Sequence, residues 1–170
     1  MIGEMVNRLP LTTGKLAKEY YAYAKNGSCT LLGAIEALTG RRLAQIKAQH
    51  TKKVYTEFCQ ALVEAWPEAK KIRLVQDNLN TYNASSFYEH LPAEEAFSLM
   101  QKIEFHYTPK SASWLNMIEI EFSALARECL NRRIPSQQML EDEVLALVKE
   151  RAEKRIKINC QFHSRRHARS

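Results

Sequence analysis

With 170 residues, 45% hydrophobic and 26% charged, the chain is long and apolar enough for one folded domain, which excludes wholesale disorder. No apolar run approaches the roughly 18 residues of a membrane span, no signal-peptide pattern opens the chain, and Cys29, Cys59, Cys129 and Cys160 lie too far apart for a zinc knuckle, which leaves thiols in a reducing compartment. The net charge of +6 suggests a nucleic-acid partner, but residues 1–150 are neutral and the excess sits in 151–170, where seven bases face Glu153 alone.

Residues 1–28 carry turn signals (Leu9-Pro10, Thr13-Gly14, Asn26-Gly27) and no sustained period, which predicts irregular chain or a loose hairpin. Cys29–Leu38 and Arg41–His50, separated by Thr39-Gly40, read as strand, turn and strand. From Thr51, a helix cap, the period changes to three or four with Val54, Phe58, Leu62 and Ala65, and Pro67 lies beyond the helix end. Lys71–Gln76 reads as a strand running into Asp77-Asn78. Asn83 or Ser85 opens a helix through Phe87 and Leu91, and Pro92 starts another through Phe97 and Met100. Ile103–Tyr107 alternates as a strand does. Met117–Leu130 is helical with a stripe of Ile118, Phe122, Leu125 and Cys129, and Ser136 caps a last helix bearing Leu140, Val144 and Val148. Ile158–Phe162 reads as a short final strand. The order is an α/β pattern.

Two segments hold the chemistry. In Arg73-Leu-Val-Gln-Asp-Asn-Leu-Asn-Thr81 a buried-looking strand delivers Asp77 at its C-terminal end, where open α/β sheets place ligands, although Asp-Asn is equally a turn pair. In Tyr107–Glu121 a Pro-containing loop leads to Trp114-Leu-Asn116 and then to a helix with Glu119 in its first turn. Glu119 follows core-facing Ile118 and can sit at the edge of the buried stripe. Glu121 is expected on the solvated side, and both acids also suit the helix dipole. Tyr20, Tyr21 and Tyr23 could stack on bases or pack a hairpin. The pairs Arg41-Arg42, Lys52-Lys53, Lys70-Lys71 and Arg132-Arg133 are expected to be solvated, and His106 to be packed on its strand.

Together these segments resemble the DDE transposases of bacterial insertion sequences related to the mariner superfamily. The matching stretches are Gln76–Thr81, Phe105–Lys110, Ser113–Met117, Glu119-Ile-Glu121 and Cys129–Pro135, with a weaker likeness back to Ile2-Gly3-Glu4. The resemblance implies a ribonuclease-H-like mixed sheet flanked by helices, and an acidic triad that binds Mg²⁺ or Mn²⁺ for phosphoryl transfer on DNA. It places the second acid at Asp77 and the third at Glu119, with 41 residues between them. Asn78, Asn80, Lys110, Trp114 and Asn116 match the surrounding motif as residues that shape the site or contact DNA.

The family's first aspartate would precede the Ile2-Gly3-Glu4 match, and Glu4 corresponds to a different position. The expectation is therefore an N-terminally truncated catalytic domain over residues 1–162, lacking the first central strand, with a basic, disordered tail at 163–170. Tyr82 and Ser111-Ala112 also depart from the family pattern. Such a chain would bind metal weakly or not at all and be an inactive transposase in the bacterial cytosol. The alternative is a non-catalytic DNA-binding or self-associating remnant that interferes with intact transposase. DNA and a second copy of the chain are the expected partners, with no membrane.

Overall fold

A computed structural model describes residues 2–10, 28–77, 83–109, 117–132 and 134–158, of which 2–10 and 28 are described by backbone alone. Among the described residues, five strands and five helices follow one another as β1 (Ile2–Pro10), β2 (Ser28–Glu36), β3 (Arg42–Lys47), α1 (Lys52–Ala65), β4 (Ile72–Gln76), α2 (Ser85–His90), α3 (Ala93–Lys102), β5 (Ile103–Tyr107), α4 (Ile118–Cys129) and α5 (Gln137–Glu153). The strands form one sheet in the order β3-β2-β1-β4-β5. β1 runs antiparallel to β2, from Ile2↔Glu36 to Pro10↔Ser28, and β2 antiparallel to β3. β4 and β5 are parallel to β1, through Glu4↔Gln76 and Gln76↔Tyr107. This is the ribonuclease-H-like mixed sheet expected from the sequence.

One expectation is overturned. The central position of the sheet is not lacking: the Ile2–Pro10 backbone, expected to be irregular, lies between β2 and β4 and pairs with both. Backbone N–H and C=O groups must find partners, and β2 and β4 offer two unpaired edges that one extended segment satisfies. Ile158, expected to begin a last strand, is in no strand, and 159–162 lie outside the described residues, as do Tyr20, Tyr21 and Tyr23.

The helices form as their patterns predict. Thr51 Oγ1 accepts from the Val54 N–H at 3.2 Å to start α1, and Ser136 Oγ accepts from the Met139 N–H at 3.2 Å to start α5. Each helix buries its apolar stripe on one side of the sheet. On the α1 face, Phe58, Cys59 and Leu62 pack with Leu32, Ala34, Leu74 and Phe87. On the other face, Ile118, Phe122 and Leu125 of α4 and Leu140, Val144 and Val148 of α5 pack on Leu31, Ile35 and Ile46. Side chains of this size contribute roughly 1.5–3 kcal/mol each when buried. Cys29, Cys59 and Cys129 are buried thiols, and burial pushes Cys29 and Cys129 up from the ordinary thiol range.

Gly33 fixes how closely α4 approaches the sheet. A Cβ there would lie 2.9 Å from Phe122 Cε1, inside van der Waals contact. Gly33→Ala should destabilise the domain by about 1–3 kcal/mol through overpacking. Denaturant unfolding measures this, and adding Phe122→Leu should recover part of the loss if the ring is the obstacle.

Candidate active site

Asp77 follows the last residue of β4, at the C-terminal end of the parallel strands. Three contacts hold this point. The Tyr55 hydroxyl donates to Gln76 Oε1 at 2.7 Å in the core, and the Thr108 N–H donates to the Gln76 carbonyl at 2.9 Å. The buried Thr108 hydroxyl then donates to Asp77 Oδ1 at 3.1 Å. The strand end and one carboxylate oxygen are thereby fixed together.

Glu119 reaches the site from the first turn of α4 and is half-buried, at the edge of the stripe as its spacing predicts. Its carboxyl is pushed above the ordinary carboxylate range, first by burial and then by the negative charge of Asp77. The charge of Asp77 thus adds to burial in disfavouring ionisation of Glu119.

Register decides what β1 adds. Glu4 stands opposite Ala34 and Gln76, which both belong to the α1 face. Position 5 stands opposite Gly33, on the α4 face, and one step past the Glu4↔Gln76 pair it lies beside Asp77. The acid of β1 is thus on the opposite face from the two that meet. Among the described residues no group of three His, Cys, Asp or Glu side chains is placed to hold a metal ion. Asn78, Asn80, Lys110, Trp114 and Asn116 lie outside the described residues.

Three expectations about neighbouring residues are corrected. His106 is exposed rather than packed, and its Nε2 lies 2.7 Å from Glu104 Oε1. It points to the face of β4–β5 opposite Phe105, away from the α1–α3 core. Glu121 is buried rather than solvated, at 3% exposure. Its carboxylate is gripped by two guanidinium forks. Arg42 donates to Oε1 at 2.7 Å and Oε2 at 3.1 Å, and Arg151 donates to the same oxygens at 3.0 and 3.1 Å. Arg42, expected in solvent, has a side chain only 1% exposed and also donates to the carbonyls of Gly40, Arg151 and Ile156. Its neighbour Arg41 is partly exposed but engaged, stacked 4.9 Å over the Trp66 ring and paired with Glu68.

Residues 5–141 match the family described as DDE superfamily endonuclease. The chain belongs to that family. Enzymes of this superfamily use divalent metals, and Asp77 and Glu119 both lie inside the matched span. Among solved structures, a chain of the simian T-cell lymphotropic virus intasome in complex with PP2A regulatory subunit B56 gamma is similar over 86% of this chain at 13% identity and a TM-score of 0.42. The similar region is 46% of that chain's length. No curated protein matches. No described helix is long and apolar enough to cross a membrane.

Burial would raise the Glu121 carboxyl, but hydrogen bonds from Arg42 and Arg151, and their charges, hold it below the ordinary carboxylate range. A depressed carboxylate stabilises the fold above its unfolded pKa, and the contribution is lost as pH falls through the folded value. Glu121→Ala, which leaves two buried guanidinium groups without their anion, should cost about 3–5 kcal/mol at neutral pH. The loss should shrink as acid protonates Glu121 in the parent chain. Unfolding curves of parent and variant at pH 7 and below the carboxylate range measure both.

Proposed function

We propose that this chain carries an incomplete and inactive metal-binding core of a bacterial insertion-sequence transposase related to the mariner superfamily, a family that acts on DNA by phosphoryl transfer. Asp77 and Glu119 hold the divalent cation in this reading. The observation that supports it best is the placement of Asp77 at the C-terminal end of β4 and of Glu119 in the first turn of α4, where burial and then the charge of Asp77 raise the Glu119 carboxyl. Two oxygen donors that repel each other suit a hard cation such as Mg²⁺ or Mn²⁺, whose charge relieves the repulsion. When bound, such ions stabilise charge on the phosphoryl group and on the attacking and leaving oxygens. The protein's own part is positioning. Thr108 orients Asp77, the first turn of α4 presents Glu119, and the matching residues Asn78, Asn80, Lys110, Trp114 and Asn116 shape the site or contact DNA. In this reading residues 1–162 are the catalytic domain, 163–170 a basic tail, and the chain works in the bacterial cytosol, alone or with a second copy.

With two carboxylates on one face, the 170-residue chain should bind Mn²⁺ weakly and should not cleave element-end DNA. Robust Mn²⁺-dependent nicking by the purified chain, abolished by Asp77→Ala, would contradict this account of the site. Register adds a gain-of-function test. Met5→Asp adds a carboxylate to β1 at a position on the α4 face and should tighten Mn²⁺ binding, whereas Glu4→Asp, on the opposite face, should not. Titration of Mn²⁺ by its electron paramagnetic resonance signal separates the two.

The second reading, a DNA-binding or self-associating remnant, is favoured by the charge distribution, since a neutral body carries its whole +6 excess in residues 151–170. Binding through such a segment is sequence-independent and steeply salt-dependent. Deleting residues 163–170 removes Arg165, Arg166 and Arg169 and should lower both the affinity for duplex DNA and the slope of that affinity against salt. Binding that survives high salt and discriminates element ends would instead place recognition in the body.

A further inference from the structure

The Glu121 ion cluster is larger than an ordinary helix-to-strand ion pair. Its one carboxylate joins three elements, because Arg42 comes from β3, Glu121 from α4 and Arg151 from α5. Arg42 extends the network to the chain after α5 through the Ile156 carbonyl at 2.6 Å, and to the β2–β3 turn through the Gly40 carbonyl at 2.6 Å. Gly40 itself, at φ +78°, lies against the Arg155 backbone, where a Cβ would come within 2.8 Å. Glu128, two turns further along the solvent side of α4, sits 3.4 Å from Arg151 and partly balances the second guanidinium.

Replacing a buried ion cluster with apolar side chains is often neutral or stabilising, so stability alone is a poor reason for such an arrangement. What the cluster adds is direction. Both carboxylate oxygens of Glu121 are held by forked donors, and a bidentate pair resists rotation in a way that apolar packing does not. Glu119 lies two residues earlier on the same helix. A rotation of α4 about its axis that let Glu121 out of the forks would also swing Glu119 relative to Asp77.

We propose that Glu121 is a positioning residue whose clamp by Arg42 and Arg151 fixes the rotation of α4, and so aims Glu119 at Asp77. The inference rests on the reading of Asp77 and Glu119 as metal-holding acids. It ties the metal site to the end of α5 and the 154–158 segment, on which Arg151 and Ile156 lie.

The test is Mn²⁺ binding to the full 170-residue chain by electron paramagnetic resonance, with thermal unfolding of every variant in parallel. Arg151→Met removes half of the clamp at its more accessible edge and should weaken Mn²⁺ binding about tenfold, the lower end of what loss of a supporting partner costs a metal site. Arg151→Lys keeps the charge but not the fork and should fall between parent and Met. Leu62→Ala destabilises the domain from the opposite face of the sheet and should leave Mn²⁺ affinity unchanged at temperatures where it is folded. Glu121→Gln should exceed Arg151→Met in effect, and Arg151→Met decides the matter if Glu121→Gln does not fold. The clamp inference is overturned if Arg151→Met binds Mn²⁺ as the parent does, or if Leu62→Ala loses affinity in step with its stability. A different pattern marks failure of the metal reading itself, and the clamp inference falls with it: no Mn²⁺ binding by the parent chain, or binding that Asp77→Ala retains.

Discussion

A single buried carboxylate gripped by two guanidinium groups sets the geometry of one whole face of this domain. Hydrophobic burial presses α4 and α5 onto the sheet, but burial is non-directional and tolerates sliding and rotation. The forks of Arg42 and Arg151 around Glu121 remove those freedoms, and Gly33 removes the remaining slack by letting the Phe122 ring sit against the backbone of β2. Depth is set by a missing side chain and rotation by a charged one. The first turn of α4, with Glu119, then has one place to be.

The sheet fixes the other half of the site in the same economical way. Parallel pairing sets the start of β1 beside the end of β4, and the β4–β5 pair supplies Thr108 to hold Asp77. Side chains alternate across each strand, so a one-residue difference in register is a difference of face. That rule separates Glu4 from position 5 and leaves β1 without an acid at its α4-face positions. It also explains His106. The helices of the α4 face cover β2 and β3, whereas Arg73, Glu104 and His106 on the same side of β4 and β5 meet one another and solvent.

Most elements were legible because their physics is local. Caps at Thr51 and Ser136 and the stripes of α1, α4 and α5 need only neighbours within one or two turns. Asp77 and Glu119 were singled out through motif order, and in the structure the charge of Asp77 adds to burial in raising the Glu119 carboxyl. The misreadings share one cause, which is partners far away in sequence. Glu121 occupies a position three residues after Ile118, well inside the stripe, and only its charge argued for solvent. Charged groups are buried only when paired, and its partners lie 79 and 30 residues away. β1 was opaque for a related reason. A central strand covered on both faces has no simple inside-outside alternation, and Ile2–Pro10 mixes apolar and polar residues on both faces. What makes it a strand is the pair of edges that β2 and β4 leave for it.

The cost of this arrangement points to its purpose. Burial and the nearby charge of Asp77 raise the Glu119 carboxyl and so oppose folding at neutral pH, because a carboxyl whose pKa is raised on folding costs stability wherever it is ionised. An isolated surface pair would relax by rotating apart. Here Thr108 holds one acid and the rotational clamp on α4 restrains the other, so the repulsion persists until something positive arrives. In the proposed reading, repulsion maintained by the surrounding packing organises the site in advance for a cation, since little reordering is then required on binding. Glu121 and Glu119, two residues apart on one helix, thus have opposite environments for one reason. The first is held below the ordinary carboxylate range by two guanidinium groups inside the core. The second is pushed above it by burial and by the carboxylate it faces. The satisfied acid supplies the rigidity that keeps the unsatisfied one in place.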